Sequence, residues 1–191
     1  MRIKVLALGV GLTLLAAPAL AGPTGCQEGT EGNDVIVCSR LDDFHPGDAG
    51  HDSIAGKRGG DSLHGGVGHD EVLGGIGPDV LWGDTGHDRL DGGRSADILS
   101  GGAGGDEVDG GRAADFQRGG PGPDLLVGGE GHDRLLLGGG TDRVRAGLGD
   151  DTVDSSDSDR DRISCGAGID RVEADYLDQI ASNCERVTRN S

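Results

Sequence analysis

Residues 65–91 read GGVGHDEVL, GGIGPDVLW and GDTGHDRLD, three nine-residue units laid end to end without a gap. Each opens on glycine, carries Asp at its sixth place (Asp70, Asp79, Asp88) and an aliphatic residue at its eighth (Val72, Leu81, Leu90). Working outward, the same frame holds over residues 47–154 as twelve units with no insertion or deletion. The sixth position is Asp in all twelve, and the eighth is aliphatic in eleven, Gln117 being the departure. A period this strict is the signature of a solenoid, each unit repeating one supersecondary element. Looser copies flank the block. GTEGNDVIV (29–37) precedes it across an irregular stretch through Phe44 and Pro46. SDSDRDRIS and CGAGIDRVE (156–173) follow a one-residue slip at Ser155.

The residue types dictate what one unit does. Glycines at the first, second and fourth positions permit positive φ and the close backbone approach of a tight turn. The three residues that follow the sixth-position Asp alternate outward, inward, outward, as a short strand must. The inward place holds Ile54, Leu63, Val72, Leu81, Leu90, Leu99, Val108, Leu126, Leu135, Val144 and Val153. One unit alone buries almost nothing, but stacked coils bury a thin aliphatic core and satisfy their backbone groups between parallel strands.

Composition sharpens the problem. The chain has 40 glycines, one Trp, one Tyr and two Phe in 191 residues, too few aromatics for an ordinary compact core. Its formal charge of −17 makes a compact state repel itself. The same charge excludes nucleic acid as a partner, because phosphates need a basic face. A cation bound by the folded form resolves both difficulties.

Residues 1–21 read as a secretory signal peptide: Arg2 and Lys4, an apolar run over 5–17, then Ala19-Leu20-Ala21. The run is short for a membrane span, so none is expected after cleavage. Four cysteines suit disulfides outside the cytosol. They allow three pairings, and the expected one is local, Cys26–Cys38 and Cys165–Cys184, because the pairs lie at opposite ends of a long object. The expected organisation is signal peptide 1–21, N-terminal cap with one outlying repeat 22–46, twelve-repeat array 47–154, degenerate repeats 155–173 and C-terminal cap 174–191.

These twelve in-phase copies closely resemble the RTX, or haemolysin-type, calcium-binding nonapeptide GGxGxDxUx. The resemblance implies an all-β chain, a right-handed parallel β-roll with two repeats per coil and short disulfide-closed ends. It also implies several calcium ions, each held by backbone carbonyls and sixth-position carboxylates of turns one coil apart. By that carry-over the ligands are Asp52, Asp61, Asp70, Asp79, Asp88, Asp97, Asp106, Asp115, Asp124, Asp133, Asp142 and Asp151, with Asp34, Asp161 and Asp170 from the outlying copies. An ion bridging repeats i and i+2 gives twelve repeats ten complete sites. Calcium, which takes six to eight oxygens in flexible geometry, suits this donor set better than magnesium. The better-known members append repeats to a lytic or protease domain, for which this chain has no segment, so toxin activity is not carried over.

The remaining constellations are surface features of the repeat. His51, His69, His87 and His132 occupy the fifth, turn position, and the first three are expected to stack about 4.8 Å apart. His45 and His64 have no evident partner in the sequence. No nucleophile–base arrangement stands out, and an enzyme is not expected. One outward column, Glu71, Arg89 and Glu107, reads as a solvated charge ladder. The other, Val80, Ile98 and Phe116 with Trp82 nearby, is an apolar strip suited to a protein or surface partner. Ser95 and Ala113 at the fourth position and Gln117 at the inward one mark a weak patch, with an inward turn of Phe116 as compensation. The reading is a secreted calcium-binding structural or interaction module whose folding depends on the ion; the alternative is an accessory or effector module of an extracellular enzyme or toxin system.

Overall fold

The computed structural model describes residues 25–190, so the signal peptide expected over 1–21 lies outside the described residues. Every described element is a β-strand, and all pairings are parallel. From Ser53 onward successive strands alternate between two sheets, so each unit gives one strand and each coil takes two units. One nine-stranded sheet runs from Val35–Val37 through Ser53–Arg58 and Glu71–Ile76 to Gln179–Ile180. The other sheet, ten strands, runs from Phe44–His45 through Ser62–Gly68 and Val80–Gly86 to Arg186–Arg189. Residues pair with those eighteen positions on, as in Val72 with Leu90 and Leu81 with Leu99. This is a parallel β-solenoid. Among the described residues no helix is long and apolar enough to cross a membrane.

The eighth-position aliphatics meet between the sheets. Ile54, Val72, Leu90 and Val108 on one side and Leu63, Leu81 and Leu99 on the other are fully buried. Toward the C-terminus the core thickens, because Leu137, Ala146, Cys165 and Ala174 replace first-position glycine and are buried too. The disulfides Cys26–Cys38 and Cys165–Cys184 both form, with Cα atoms 4.0 and 5.2 Å apart. Each lies near an end of the solenoid, where an open edge would otherwise expose core and unpaired strand.

Positive φ is distributed more narrowly than glycine. Within the array, Gly47 at its start apart, it falls at the second position (Gly66, Gly75, Gly102) and the fourth (Gly59, Gly77, Gly104). Along the stack from Gly56 to Gly128 the first-position glycines have no such φ. They are small for a different reason, given below. Ser95 and Ala113 do take positive φ, at 100° and 79°, which strains an L-residue by about 1 kcal/mol or more. Gln117 is fully buried; its Nε2 donates to the Val127 carbonyl at 2.7 Å, while its Oε1 has no partner. Phe116 does not turn inward. It stays in outward register with Ile98 and Arg134, and the Arg134 guanidinium lies 5.7 Å from its ring centre. Parallel register pins its neighbour Gln117 against Leu99 and Leu135, so a flip would move every side chain of the strand to the other face.

The outward columns form as the period requires. Glu71, Arg89 and Glu107 are adjacent in register, with Arg89 Nε 3.9 Å from Glu71 and its Nη1 bonded to Glu107. Such exposed pairs are worth at most about 1 kcal/mol. Val80, Ile98 and Phe116 are likewise adjacent, and Ile98 is 49% exposed.

The slip after the array is taken up in a turn. Ser155 continues its strand, is buried and pairs with Ala174, so the extra residue falls among residues 156–160. Coils that span the slip are spaced by nineteen, as in Val144 with Ile163, and the last ones shorten to seventeen and fifteen, as in Ile163 with Ile180 and Val172 with Val187.

Candidate metal centres

Each sixth-position Asp stands where the turn ends and the strand begins, and its backbone is spent on the coil stack. Its carbonyl accepts from the seventh-position amide one coil on, as from Glu71 to Asp52 at 2.8 Å. Its amide donates to the Oδ1 of the next coil's Asp, as from Asp52 to Asp70 and from Asp88 to Asp106 at 2.8 and 2.9 Å. Two continuous ladders of carboxylates result, one along each edge of the roll. The side chains from Asp52 to Asp170 are no more than 3% exposed.

In every one of these carboxylates the second oxygen is an orphan. The Oδ2 atoms of Asp52, Asp61, Asp70, Asp79, Asp88, Asp97, Asp106, Asp115, Asp124, Asp133, Asp142, Asp151, Asp161 and Asp170 are buried without a hydrogen-bond partner. An unsatisfied buried carboxylate oxygen is costly and rare, and fourteen in register call for one common counter-charge. First-position glycine explains where that charge fits. A Cβ on Gly65 would stand 2.7 Å from the Asp70 Oδ2 and 2.9 Å from the Gly83 carbonyl oxygen one coil on. A Cβ on Gly101 would meet the Asp106 Oδ2 and the Gly119 carbonyl at 2.6 and 2.9 Å. The missing side chain therefore leaves room for a carboxylate oxygen and a main-chain oxygen side by side. These are hard donors with no nitrogen or sulfur among them, the set that a large divalent cation prefers.

The end rungs are closed differently. Asp34, the fifteenth expected ligand, is half-buried, and its Oδ2 accepts from the Thr30 amide and hydroxyl at 2.7 and 2.9 Å. Three acidic residues outside the expected set complete the ladders: Asp43, Asp178 and Glu185, whose Oε2 accepts the Asp170 amide at 3.0 Å. Asp43 donates its amide to Asp61, and its Oδ2 accepts from the Ser39 amide at 2.7 Å. Asp178 accepts from the Asp161 amide, and its other oxygen accepts from the Ser155 hydroxyl and the Asp175 amide. Asp43 lies nine residues from both Asp34 and Asp52, so extending the period backwards would have found it. Asp178 is out of phase and gives no such signal.

Burial raises these acids strongly. The carboxyl groups of Asp79, Asp88, Asp115, Asp124 and Asp161 are pushed up to about 7, first by loss of water and then by the like charges of the ladder. Those of Asp97, Asp142 and Asp151 rise to about 6 for the same leading reason. A group raised in the fold stabilises it fully below its unfolded value near 3.8, and that contribution is lost as pH climbs through 6 to 7. In excess chelator the chain is therefore expected to gain β-type circular dichroism as pH falls from 8 to 5. Identical spectra at the two values would contradict this account of the carboxylates.

The histidines serve the turns. The rings of His51 and His69 stack at 4.8 Å and those of His69 and His87 at 5.1 Å. Each Nδ1 accepts the fifth-position amide of the next coil, from His69, His87 and Gly105 at 2.7 to 2.8 Å. His132 does the same for the Asp150 amide. His64 proves to have partners: its ring stacks on Trp82 at 4.1 Å, and its Nδ1 lies 3.0 Å from Asp84 Oδ2. His45 is buried, its Nε2 has no partner, and burial lowers its pKa.

Comparison with known proteins agrees with the geometry. A family model described as the RTX calcium-binding nonapeptide repeat, in four copies, matches residues 46–81, 82–117 and 118–153 in succession. No curated protein matches the chain.

Proposed function

Because this chain belongs to the RTX calcium-binding nonapeptide repeat family, we propose that it is a secreted module whose β-roll is ordered by several calcium ions and acts through its surface. The orphaned Oδ2 ladder carries the reading. Asp52 through Asp170 supply the side-chain ligands, and first-position carbonyls such as Gly83 and Gly119 supply main-chain oxygens. Bound calcium neutralises the paired carboxylates and cross-links successive coils. Two cystines and the leader-like sequence over 1–21 support an extracellular setting. In the proposed division residues 47–154 are the ion-bound array, and the cystine-bearing segments on either side are its caps.

No catalytic step is assigned. The buried acids form two uniform ladders, and the turn histidines His51, His69, His87 and His132 hold backbone amides. The strip of Val80, Ile98 and Phe116, with Trp82 and His64 stacked beside it, is the surface best suited to a protein partner. Equilibrium calcium binding tests the proposal. About ten ions per chain are expected at millimolar calcium, and Asp106→Asn should lower the number by one or two. A count of zero or one would overturn the reading.

A further inference from the structure

The nine-residue period gains a residue in the unit of residues 155–164, and there a third carboxylate enters the ladder. Asp157 sits in the turn that absorbs the extra residue, and one of its carboxylate oxygens lies within 4.8 Å of those of Asp142 and Asp161. Asp142 and Asp161 are fully buried, and the Oδ2 atoms of all three residues lack a partner. Their other oxygens are already fixed. Asp142 Oδ1 accepts the Asp124 amide, Asp161 Oδ1 the Asp142 amide and Asp157 Oδ1 the Asp159 amide, at 2.8, 2.9 and 2.8 Å. Three carboxylates thus converge, each held through Oδ1 and each with an Oδ2 that no hydrogen bond uses.

The turn that delivers Asp157 is tied on both sides. Asp159 Oδ2 accepts the Gly140 amide at 2.9 Å on the preceding coil, and the Ser158 amide donates to Asp175 Oδ2 at 2.8 Å on the following one. Ser158 holds a φ of 79°, a conformation the flanking bonds must enforce. Elsewhere in the array the turn offers two ladder carboxylates and main-chain oxygens. Here the cluster adds a negative charge on a constrained backbone, and ligand charge and rigidity are what set calcium affinity.

We propose that Asp142, Asp157 and Asp161 form a distinct calcium site, tighter than the sites of the uniform turns, that fills first and anchors the C-terminal coils. It rests on the calcium reading of the ladder and adds a ligand and an order of filling to it.

Calcium titration of the full chain in chelator-buffered solution is the test, with circular dichroism at saturating calcium to verify the fold of each variant. The wild type should show one ion bound about tenfold more tightly than the rest. In Asp157→Asn that class should merge with the others while the remaining sites persist. Glu130→Gln, which removes an exposed carboxylate paired with Arg112 and away from this turn, should leave the tight class within about threefold of wild type. A wild type with no separate tight class, or an Asp157→Asn isotherm superimposed on the wild type, overturns the inference and leaves the calcium reading standing. A wild type that binds no calcium overturns both.

Discussion

Removing calcium at pH 7.5 is expected to unfold the array in one cooperative step, and restoring it to millimolar concentration to refold it. The aliphatic core is one residue deep per unit, and the chain that must be ordered around it contains 40 glycines, each with more freedom to lose than any other residue. Against that thin core stand two columns of buried carboxylates, several with acid constants raised to about 6 or 7, so at pH 7.5 most are charged and unpaired. Like charges one coil apart in a water-poor edge repel more strongly than exposed ones. Metal binding and folding are then a single event. The disulfides do not alter the outcome, because Cys26–Cys38 and Cys165–Cys184 close loops only near the ends and leave the array between them unconstrained. Far-ultraviolet circular dichroism and protease resistance during chelation are the measurements. A β-type spectrum that persists in excess chelator would show that packing alone holds the roll.

Much of this was legible in the residues because the repeat is local and strict. A nine-residue period with one aliphatic and one Asp fixes the inward column, the carboxylate ladder, the alternation of sheets and even the stacking of His51, His69 and His87. What escaped the sequence lies where the period stops or where one residue type serves two physical ends. Glycine reads as a turn former, yet at the first position its service is the space it leaves for Asp106 Oδ2 and its counterparts. Asp43 and Asp178 close the ladders from segments with no glycine to flag them. Asp157 looked like part of a degraded copy, because only the folded turn brings it against Asp142, fifteen residues earlier. The compensation that an inward Phe116 would give to Gln117 is not realised, because parallel register keeps Phe116 in the outward column with Ile98 and Arg134.

The second large effect is expected at the fourth position, where the two edges of the roll differ. Along one edge Gly50, Gly68, Gly86, Gly104, Gly122 and Gly140 form an unbroken glycine column. A Cβ on Gly104, at φ 143°, would fall inside the contact radius of the Gly86 carbonyl oxygen, and one on Gly122 would do the same to Gly104. Along the other edge the column is broken by Ser95 and Ala113, and there the backbone has yielded. Their φ values of 100° and 79° lie below the 127° to 154° of Gly59, Gly86 and Gly104. The turn bond beside Ser95 also lengthens: Gly77 N–H reaches the Arg94 carbonyl at 3.3 Å, against 2.7 to 3.0 Å at Gly50, Gly59, Gly122 and Gly131. Among the described residues the Ser95 and Ala113 amides make no such bond. A Cβ at this position thus costs both backbone strain and one link between coils. Gly104→Ala should therefore destabilise the calcium-loaded chain by about 1–3 kcal/mol from backbone conformation, with the lost inter-coil bond in addition. Ser95→Gly should act in the opposite sense, stabilising by about 1 kcal/mol. Thermal unfolding at saturating calcium measures both. Equal midpoints for Gly104→Ala and wild type would mean that the glycine column is dispensable and that the coil spacing is set by the carboxylate ladder alone.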